Sequence, residues 1–322
     1  MIVVLTGGTG GAKFVQGLAQ VVPPEELTII VNTGDDLVWW GLHVSPDLDT
    51  ITYVLSGRLS VERGWGVEAD SFHCRDAMAS LGAPVWFQLG DRDLATHLVR
   101  TQLMAEGKTL SEATEHITRE LAIGSRILPM TDSRVETHVM TPQGEISFQE
   151  YFVRNQFQPA VEGVRFAGAD GATPAPGVIE AIESTAAVIL APSNPITSVG
   201  PILAVPGIRK ALQQTLAPVV AVSPIVGGAA VSGPAGNLMR SQGLPVSVEG
   251  VVRYYGDFLD LLLVDSSDNL RAGGNELLGV ALHSANIVMR SDREKVELAG
   301  ETLSAARAIA SHKRARLERH EA

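Results

Sequence analysis

The chain is predicted to fold as an α/β protein built on a doubly wound, mostly parallel sheet. Three observations carry that expectation. Short β-rich runs of nearly continuous apolar character recur along its 322 residues, stretches with helical spacing stand between or after them, and polar glycine-bearing loops follow several of the runs. A chain of this length buries a substantial core, and the 32 glycines and 17 prolines are spread over many turns rather than gathered in a linker. A single domain over 1–322 is therefore expected.

Residues 1–6, "MIVVLT", form the first such run, followed by "GGTGG" and helical spacing over 12–22. "LTIIVNT" at 27–33 is the second. The middle of the chain differs. Residues 91–122 look mainly helical, and "RVETHVMTPQGEISFQEYFVR" at 134–154 alternates polar and apolar residues around a "TPQGE" turn, the pattern of an antiparallel hairpin. A helix-rich insertion with a β-hairpin is thus placed at about 58–170. The core pattern then resumes with "AAVILAPS" (186–193), "PVVAVSP" (218–224) and "FLDLLLVD" (258–265), with helical spacing over 175–184, 199–215 and 293–315.

Composition narrows the function. A formal net charge of −11 argues against a broad nucleic-acid surface, and only the tail "SHKRARLERHEA" is basic, which reads as a solvated terminal helix. No apolar stretch reaches membrane-spanning length and the start lacks a signal-peptide pattern, so a cytoplasmic protein is expected. The single cysteine, Cys74, excludes an intramolecular disulfide and reads as buried packing. The dispersed histidines match no zinc pattern, and no nucleophile elbow is present.

The loop after the first run sets Gly7, Gly8, Thr9, Gly10 and Gly11 between a strand and a helix, where backbone N–H groups meet phosphate oxygens without a Cβ in the way. It fits neither common fingerprint. A dinucleotide motif starting at Gly8 needs glycine where Lys13 stands, and a P-loop needs a Gly-Lys-Ser/Thr ending. A tight turn without ligand is the alternative. A helix N-terminus contributes only ~0.3–1 kcal/mol toward an anion, so a diphosphate here asks for further cations. Lys13 is one candidate and a divalent metal another.

Oxygen ligands for Mg²⁺ are available in "NTGDDLVWWGLHVSPDLDT", which carries Asp35, Asp36, Asp47 and Asp49 after the second strand. "SPDLDT" reads equally well as a helix start, with Ser45 as N-cap, Pro46 at the first position and acids in the first turn. In "WFQLGDRDLATHLVRTQ", Arg92, Thr96 and Arg100 share one helix face. Arg92 suits a phosphate clamp, and an exposed charge network accounts for the same spacing. "APSNPITSVGP", with Ser193 and Asn194, and "SPIVGGAAVSGPAG", with Gly227 and Gly228, are polar loops after consecutive strands and together suggest a nucleotide crevice.

Read in order, "GGTGGAK", "NTGDD" with "SPDLDT", "GWGVEADSF", "LGDRDLATH", "RILPMTD", "FQEYFVR", "PSNPITSVGPILAVPGIR" and "SPIVGGAAVSGPAG" resemble the 2-phospho-L-lactate transferase family of coenzyme F420 biosynthesis, from residue 1 to about residue 300. The resemblance implies a Rossmann-like, Mg²⁺-dependent, homodimeric transferase. It would take a guanosine diphospho-activated three-carbon acid and pass the phospho-acid to the ribityl hydroxyl of 7,8-didemethyl-8-hydroxy-5-deazariboflavin, releasing GMP. It further implies that Asp49 contacts the deazaflavin acceptor, with a carboxylate that can also bind metal or orient the hydroxyl; Asp35 and Asp36 are the other metal-ligand candidates that the acidic stretch itself offers. Gly8 to Gly11, Lys13, Ser193, Asn194, Gly227 and Gly228 would hold the guanosine diphosphate. One position departs from the family pattern: the acceptor-contacting residue two before "GDRD" is usually basic and here is Gln88, so either Arg92 brings the charge or the acceptor end takes a somewhat different partner. Two other readings compete, a non-catalytic regulator that binds nucleotide sugars and a nicotinamide oxidoreductase. The absent fingerprint glycine weakens the second.

Overall fold

The computed structural model describes residues 1–268 and 276–321. Eight strands form one central sheet: β1 (Ile2–Thr6), β2 (Leu27–Val31), β3 (Arg126–Pro129), β4 (Ala187–Leu190), β5 (Val219–Val222), β6 (Leu261–Asp265), β7 (Glu276–Leu277) and β8 (Val280–Ala285). Their order is β7-β8-β6-β5-β4-β1-β2-β3, with every neighbouring pair parallel except β7 with β8. The chain leaves β1 toward β2 and β3 on one side, then returns to build β4, β5 and β6 on the other. The strand order therefore reverses between β1 and β4, and the crevice outside their carboxyl ends is where doubly wound sheets bind ligands.

Alternation along the strands divides the core. Val3, Leu5, Val188 and Leu190 face one apolar cluster, whereas Val4, Ile29, Val31 and Ile189 face the other. On the second face, helix α1 (Gly8–Leu18) packs Phe14, Val15 and Leu18 beside Leu298, Ala299 and Leu303 of the C-terminal helix Asp292–Glu321. The backbones approach so closely that a Cβ on Gly17 would run into the Lys295 carbonyl. The basic tail continues this helix, and the side chains of residues 312–322 lie outside the described residues.

Several expectations are corrected. Residues 126–129, expected within the insertion, are the edge strand β3, so the insertion does not run unbroken to 170. The helical stretch 91–122 divides into α4 (Asp91–Ala105) and α5 (Leu110–Glu120), the latter opened by a Thr109–Glu112 capping box. The stretch 199–215 breaks at Pro206 and Gly207, whose φ of +99° no continuing helix accepts, leaving Gly200–Ala204 and Ile208–Gln214.

The hairpin forms, with Glu136–Thr141 pairing Gly144–Ser147, and a third strand, Gly163–Ala167, joins its other edge. Its second arm stops at Ser147. From there Ser147 Oγ accepts from Glu150 N at 3.2 Å while Glu150 Oε2 accepts from Ser147 N at 3.3 Å, a capping box that turns "FQEYFVR" into the helical segment Glu150–Arg154. Cys74 is exposed rather than buried, because the short helix α3 (His73–Ser80) that carries it buries none of its residues.

Candidate active site

The glycine loop sits at the reversal point and is held there by its neighbours. Gly7 N donates to Ser193 Oγ at 3.4 Å, and the Thr6 and Ser193 hydroxyls lie 3.5 Å apart, which joins the turn after β1 to the turn after β4. The glycines are needed for this contact. A Cβ on Gly10 would stand 2.6 Å from the Pro192 carbonyl oxygen, one on Gly11 2.5 Å from Ser193 Oγ, and one on Gly7 2.5 Å from Asp47 Oδ2. Gly8 adopts φ +68°, which L side chains rarely take. Exposed Thr9 and half-buried Gly10 open α1, whose first-turn N–H groups point out of the helix end. Lys13 is exposed one turn on.

The first donor of that helix is already taken. Gly8 N donates to Asp47 Oδ1 at 2.7 Å, so a carboxylate of helix α2 (Pro46–Leu55) occupies part of the anion-binding end of α1. Asn32, fully buried just after β2, is the hub: its Nδ2 donates to Asp47 Oδ2 at 3.0 Å, Asp35 Oδ2 at 3.1 Å and the Thr197 carbonyl at 3.2 Å, while its Oδ1 accepts from Gly34 N at 2.8 Å. Asp35 Oδ1 is buried without a hydrogen-bond partner.

Burial raises the Asp35 carboxyl well above its ordinary range, with the Asp47 charge adding to it. Burial likewise pushes Asp47 up to about 6, against the lowering effect of the Gly8 and Asn32 hydrogen bonds. Burial also raises Asp36, whose Oδ2 accepts from Ser45 Oγ at 2.6 Å and lies 3.0 Å from His43 Nε2. Ser45 thus stands at the N-cap position of α2 but spends its hydroxyl on Asp36 rather than on the helix end.

Asp49 turns the other way. The buried guanidinium of Arg100 bridges both its oxygens, Nη2 to Oδ1 and Nη1 to Oδ2 at 3.2 Å, and His97 Nδ1 lies 3.5 Å from Oδ2. Burial alone would weaken Arg100's hold on its proton. Asp49 more than offsets this, and the guanidinium's pKa is raised. Arg100 is thus neither exposed nor free to clamp a phosphate. Behind it, Tyr53 OH donates to Asp93 Oδ1 at 2.6 Å and reaches Thr96 Oγ1 at 2.9 Å. Arg92 is exposed, its Nη1 donating to the Glu68 carbonyl at 3.3 Å, and Gln88 is exposed near the start of α4.

Asn194 caps the segment after β4, its Oδ1 accepting from Ile196 N at 3.0 Å and Thr197 N at 3.4 Å. Gly227 and Gly228, with φ of +59° and +77°, make the two-residue turn between Ile225–Val226 and Ala229–Ala230. The structure therefore joins the glycine loop, Ser193, Asn32, Asp35 and Asp47 directly, while Asp49 belongs to a separate cluster with α4. Sequence reasoning missed Asn32, because an Asn after a strand reads as turn chemistry, and missed the Asp49–Arg100 pair, because 51 positions separate its members.

Among the described residues, no group of three or more His, Cys, Asp or Glu is arranged to hold a metal ion. Mg²⁺ does not require one, since it commonly takes one or two carboxylates and completes its shell with substrate phosphates and water. Asp35 and Asp47, tied through one amide group and carrying an unpartnered buried oxygen, fit that donor set.

Comparison with known proteins supplies the rest. A family model described as 2-phospho-L-lactate transferase CofD matches residues 2–305. The chain is 44% identical over 315 residues to a phosphoenolpyruvate transferase of Kitasatospora aureofaciens, covering 96% of this chain and 98% of the relative. It is 41% identical over 298 residues to a 2-phospho-L-lactate transferase of Methanosarcina mazei, covering 92% of this chain and 98% of the relative. A solved structure of a Bacillus halodurans protein of the UPF0052 family matches with a TM-score of 0.62 at 18% identity, covering 94% of this chain and 98% of that one, and it bears on the fold alone.

Proposed function

The chain belongs to the 2-phospho-L-lactate transferase family, and on that premise we propose that it moves a phospho-three-carbon-acid group from a guanosine diphospho-activated donor to 7,8-didemethyl-8-hydroxy-5-deazariboflavin. The ribityl hydroxyl oxygen attacks the distal phosphorus, the bond from that phosphorus to the bridging oxygen breaks, GMP leaves with that oxygen, and the hydroxyl proton is released to solvent. The product is a phosphodiester joining the acid to the deazaflavin. Such a transfer asks for positioning and charge neutralisation rather than a protein nucleophile.

The observation that carries this reading is the joined turn at the strand-order reversal. There the glycine loop, Ser193 and the Asp35–Asn32–Asp47 unit meet. In the proposal the first-turn N–H groups of α1, Lys13 and the Asn194 segment hold the diphosphate. Asp35 and Asp47 would hold Mg²⁺, which supplies Lewis-acid neutralisation of phosphate charge. In the same proposal Asp49 contacts the acceptor, as do Gln88 and Arg92, both exposed at or near the start of α4. The relatives named as transferases span nearly their whole length on this chain, which favours an enzyme over a nucleotide-sugar sensor. No helix among the described residues is long and apolar enough to cross a membrane, in keeping with a reaction between two water-soluble substrates. The proposed homodimer is read by light scattering after size exclusion.

The experiment mixes the protein with Mg²⁺, the deazaflavin and each guanosine diphospho-acid (lactate, enolpyruvate and glycerate forms) and follows GMP by chromatography. GMP with at least one donor is expected, and the product's mass identifies the acid. Absence of GMP with every donor overturns the proposal.

A further inference from the structure

We infer that Arg100 is a positioning residue for the acceptor half of the site, acting through Asp49; the inference rests on the transferase reading above. The argument starts from the geometry of α2. Residues two apart on an α-helix lie about 200° apart around its axis, so Asp47 and Asp49 leave the first turn of α2 on opposite sides. Asp47 points to the glycine loop, where Gly8 N and Asn32 Nδ2 fix both its oxygens. Asp49 points to α4, where Arg100 fixes both of its own.

The first turn of α2 is therefore a bridge with two separately anchored ends. The α4 end is the more elaborate. Arg100 is 2% exposed and Asp49 4%, so the pair is shielded from bulk water, with Asp49 the more open of the two. The same Nη1 reaches the His43 carbonyl at 3.4 Å and lies 3.3 Å from His97 Nδ1. His43 in turn is 3.0 Å from Asp36, so one guanidinium organises Asp49 together with the small antiparallel pair Leu37–Trp39 and Leu42–Val44 that leads into α2. A planar fork that grips both carboxylate oxygens fixes the orientation of the carboxylate as well as its charge, and a lysine ammonium cannot reproduce that grip. Asp49 Oδ2 also has His97 Nδ1 beside it at 3.5 Å, whereas Oδ1 keeps a further lone pair for an acceptor hydroxyl.

Two consequences separate this role from general support of the fold. Disturbing Arg100 moves Asp49 but leaves the two hydrogen bonds that hold Asp47, so acceptor recognition suffers and nucleotide recognition does not. The conservative variant R100K keeps a cation beside Asp49, so the fold survives, and loses only the fork.

The test uses the full-length protein and measures three quantities: deazaflavin affinity by fluorescence titration, GDP affinity by calorimetry with Mg²⁺ present, and the kcat and KM of the acceptor in GMP release. For R100K, acceptor affinity is expected to fall about tenfold and acceptor KM to rise by about the same factor, with kcat changed less than about threefold and GDP affinity within about twofold. R100Q is expected to lose about a hundredfold in acceptor affinity at the same GDP affinity, provided thermal unfolding shows it folded; R100K carries the test if it is not. An R100K protein with unchanged acceptor affinity overturns the inference, as does one in which GDP affinity falls in parallel. A wild-type protein that binds no deazaflavin overturns the parent reading and this one with it.

Discussion

Replacing Asp47 with asparagine tests the electrostatics of the site without removing its shape. Burial holds the Asp47 carboxyl at about 6 against an ordinary value of 3.8. Because the folded value is raised, the folded state binds the proton more tightly than the unfolded chain. Its contribution to stability is complete below about pH 4 and is lost as pH rises through 6. Two units at ~1.36 kcal/mol each make ionised Asp47 a liability of about 3 kcal/mol at neutral pH when nothing compensates it. In D47N, the side-chain oxygen still accepts from Gly8 N, but its NH₂ group faces the Asn32 NH₂ group that Asp47 Oδ2 met at 3.0 Å. Losing that hydrogen bond costs about 1 kcal/mol. The variant should therefore be about 2 kcal/mol more stable than wild type at pH 7.5 in urea unfolding without divalent ions. The gain should shrink by about 1 kcal/mol at pH 5, where wild-type Asp47 is largely protonated. GMP release should fall at least about a hundredfold, since half of the proposed metal-binding pair is gone. A D47N protein less stable than wild type at pH 7.5, or a stability difference independent of pH, would refute the assignment of Asp47 as a buried, uncompensated charge.

Removing divalent metal with a chelator should stop GMP release and Mg²⁺ should restore it; in D35N the Mg²⁺ concentration for half-maximal rate should rise about tenfold or more, and an unchanged Mg²⁺ requirement would move the metal elsewhere. Gly10→Ala places a Cβ 2.6 Å from the Pro192 carbonyl, a backbone atom that cannot swing aside, so urea unfolding should show a loss of about 1–3 kcal/mol. Lys13→Ala should leave stability within about 0.5 kcal/mol, because the side chain is exposed, and weaken GDP binding by calorimetry several-fold. Equal GDP affinity would remove Lys13 from the phosphate site.

The sheet was legible because parallel strands buried on both faces read as short apolar runs, and β1, β2, β4, β5 and β6 all do. Edge strand β3 was not, since "RILP" is four residues long, starts on an exposed arginine and ends in proline, features of loops as much as of edges. "FQEYFVR" misled for a different reason. Its alternation continues the hairpin, but the Ser147–Glu150 capping box and the buried Phe148 and Tyr151, three apart on one face, favour a helical turn. A local cap outweighed the period. At the site, the glycine loop and the acids of "NTGDD" and "SPDLDT" were visible as residue types, because each sits next to a strand or helix end that the sequence marks. Which acid faces which neighbour was not. Asp47 and Asp49 lie within one turn of α2, and only the rotation of that helix against Asn32 on one side and Arg100 on the other assigns them.

That rotation bears on why the glycine loop resembles neither common phosphate fingerprint. Its glycines are needed first for protein contacts: Gly7 beside Asp47, Gly10 under the Pro192 carbonyl, Gly11 between Thr6 and Ser193. A dinucleotide loop presents its helix end to the ligand unopposed, whereas here a carboxylate already accepts from the first N–H at 2.7 Å. The helix end offers ~0.3–1 kcal/mol toward an anion, and a buried carboxylate beside it more than cancels that by repulsion unless it is protonated or bridged. Protonation would serve below pH 6, where Asp47 takes up its proton. On the proposed reading, a divalent cation held by Asp35 and Asp47 at neutral pH would resolve the same conflict by neutralising charge that the carboxylates and a diphosphate would otherwise oppose. On that reading, the charge pattern that looks least suited to holding phosphate would make phosphate binding conditional on metal, and metal binding strongest when phosphate is present.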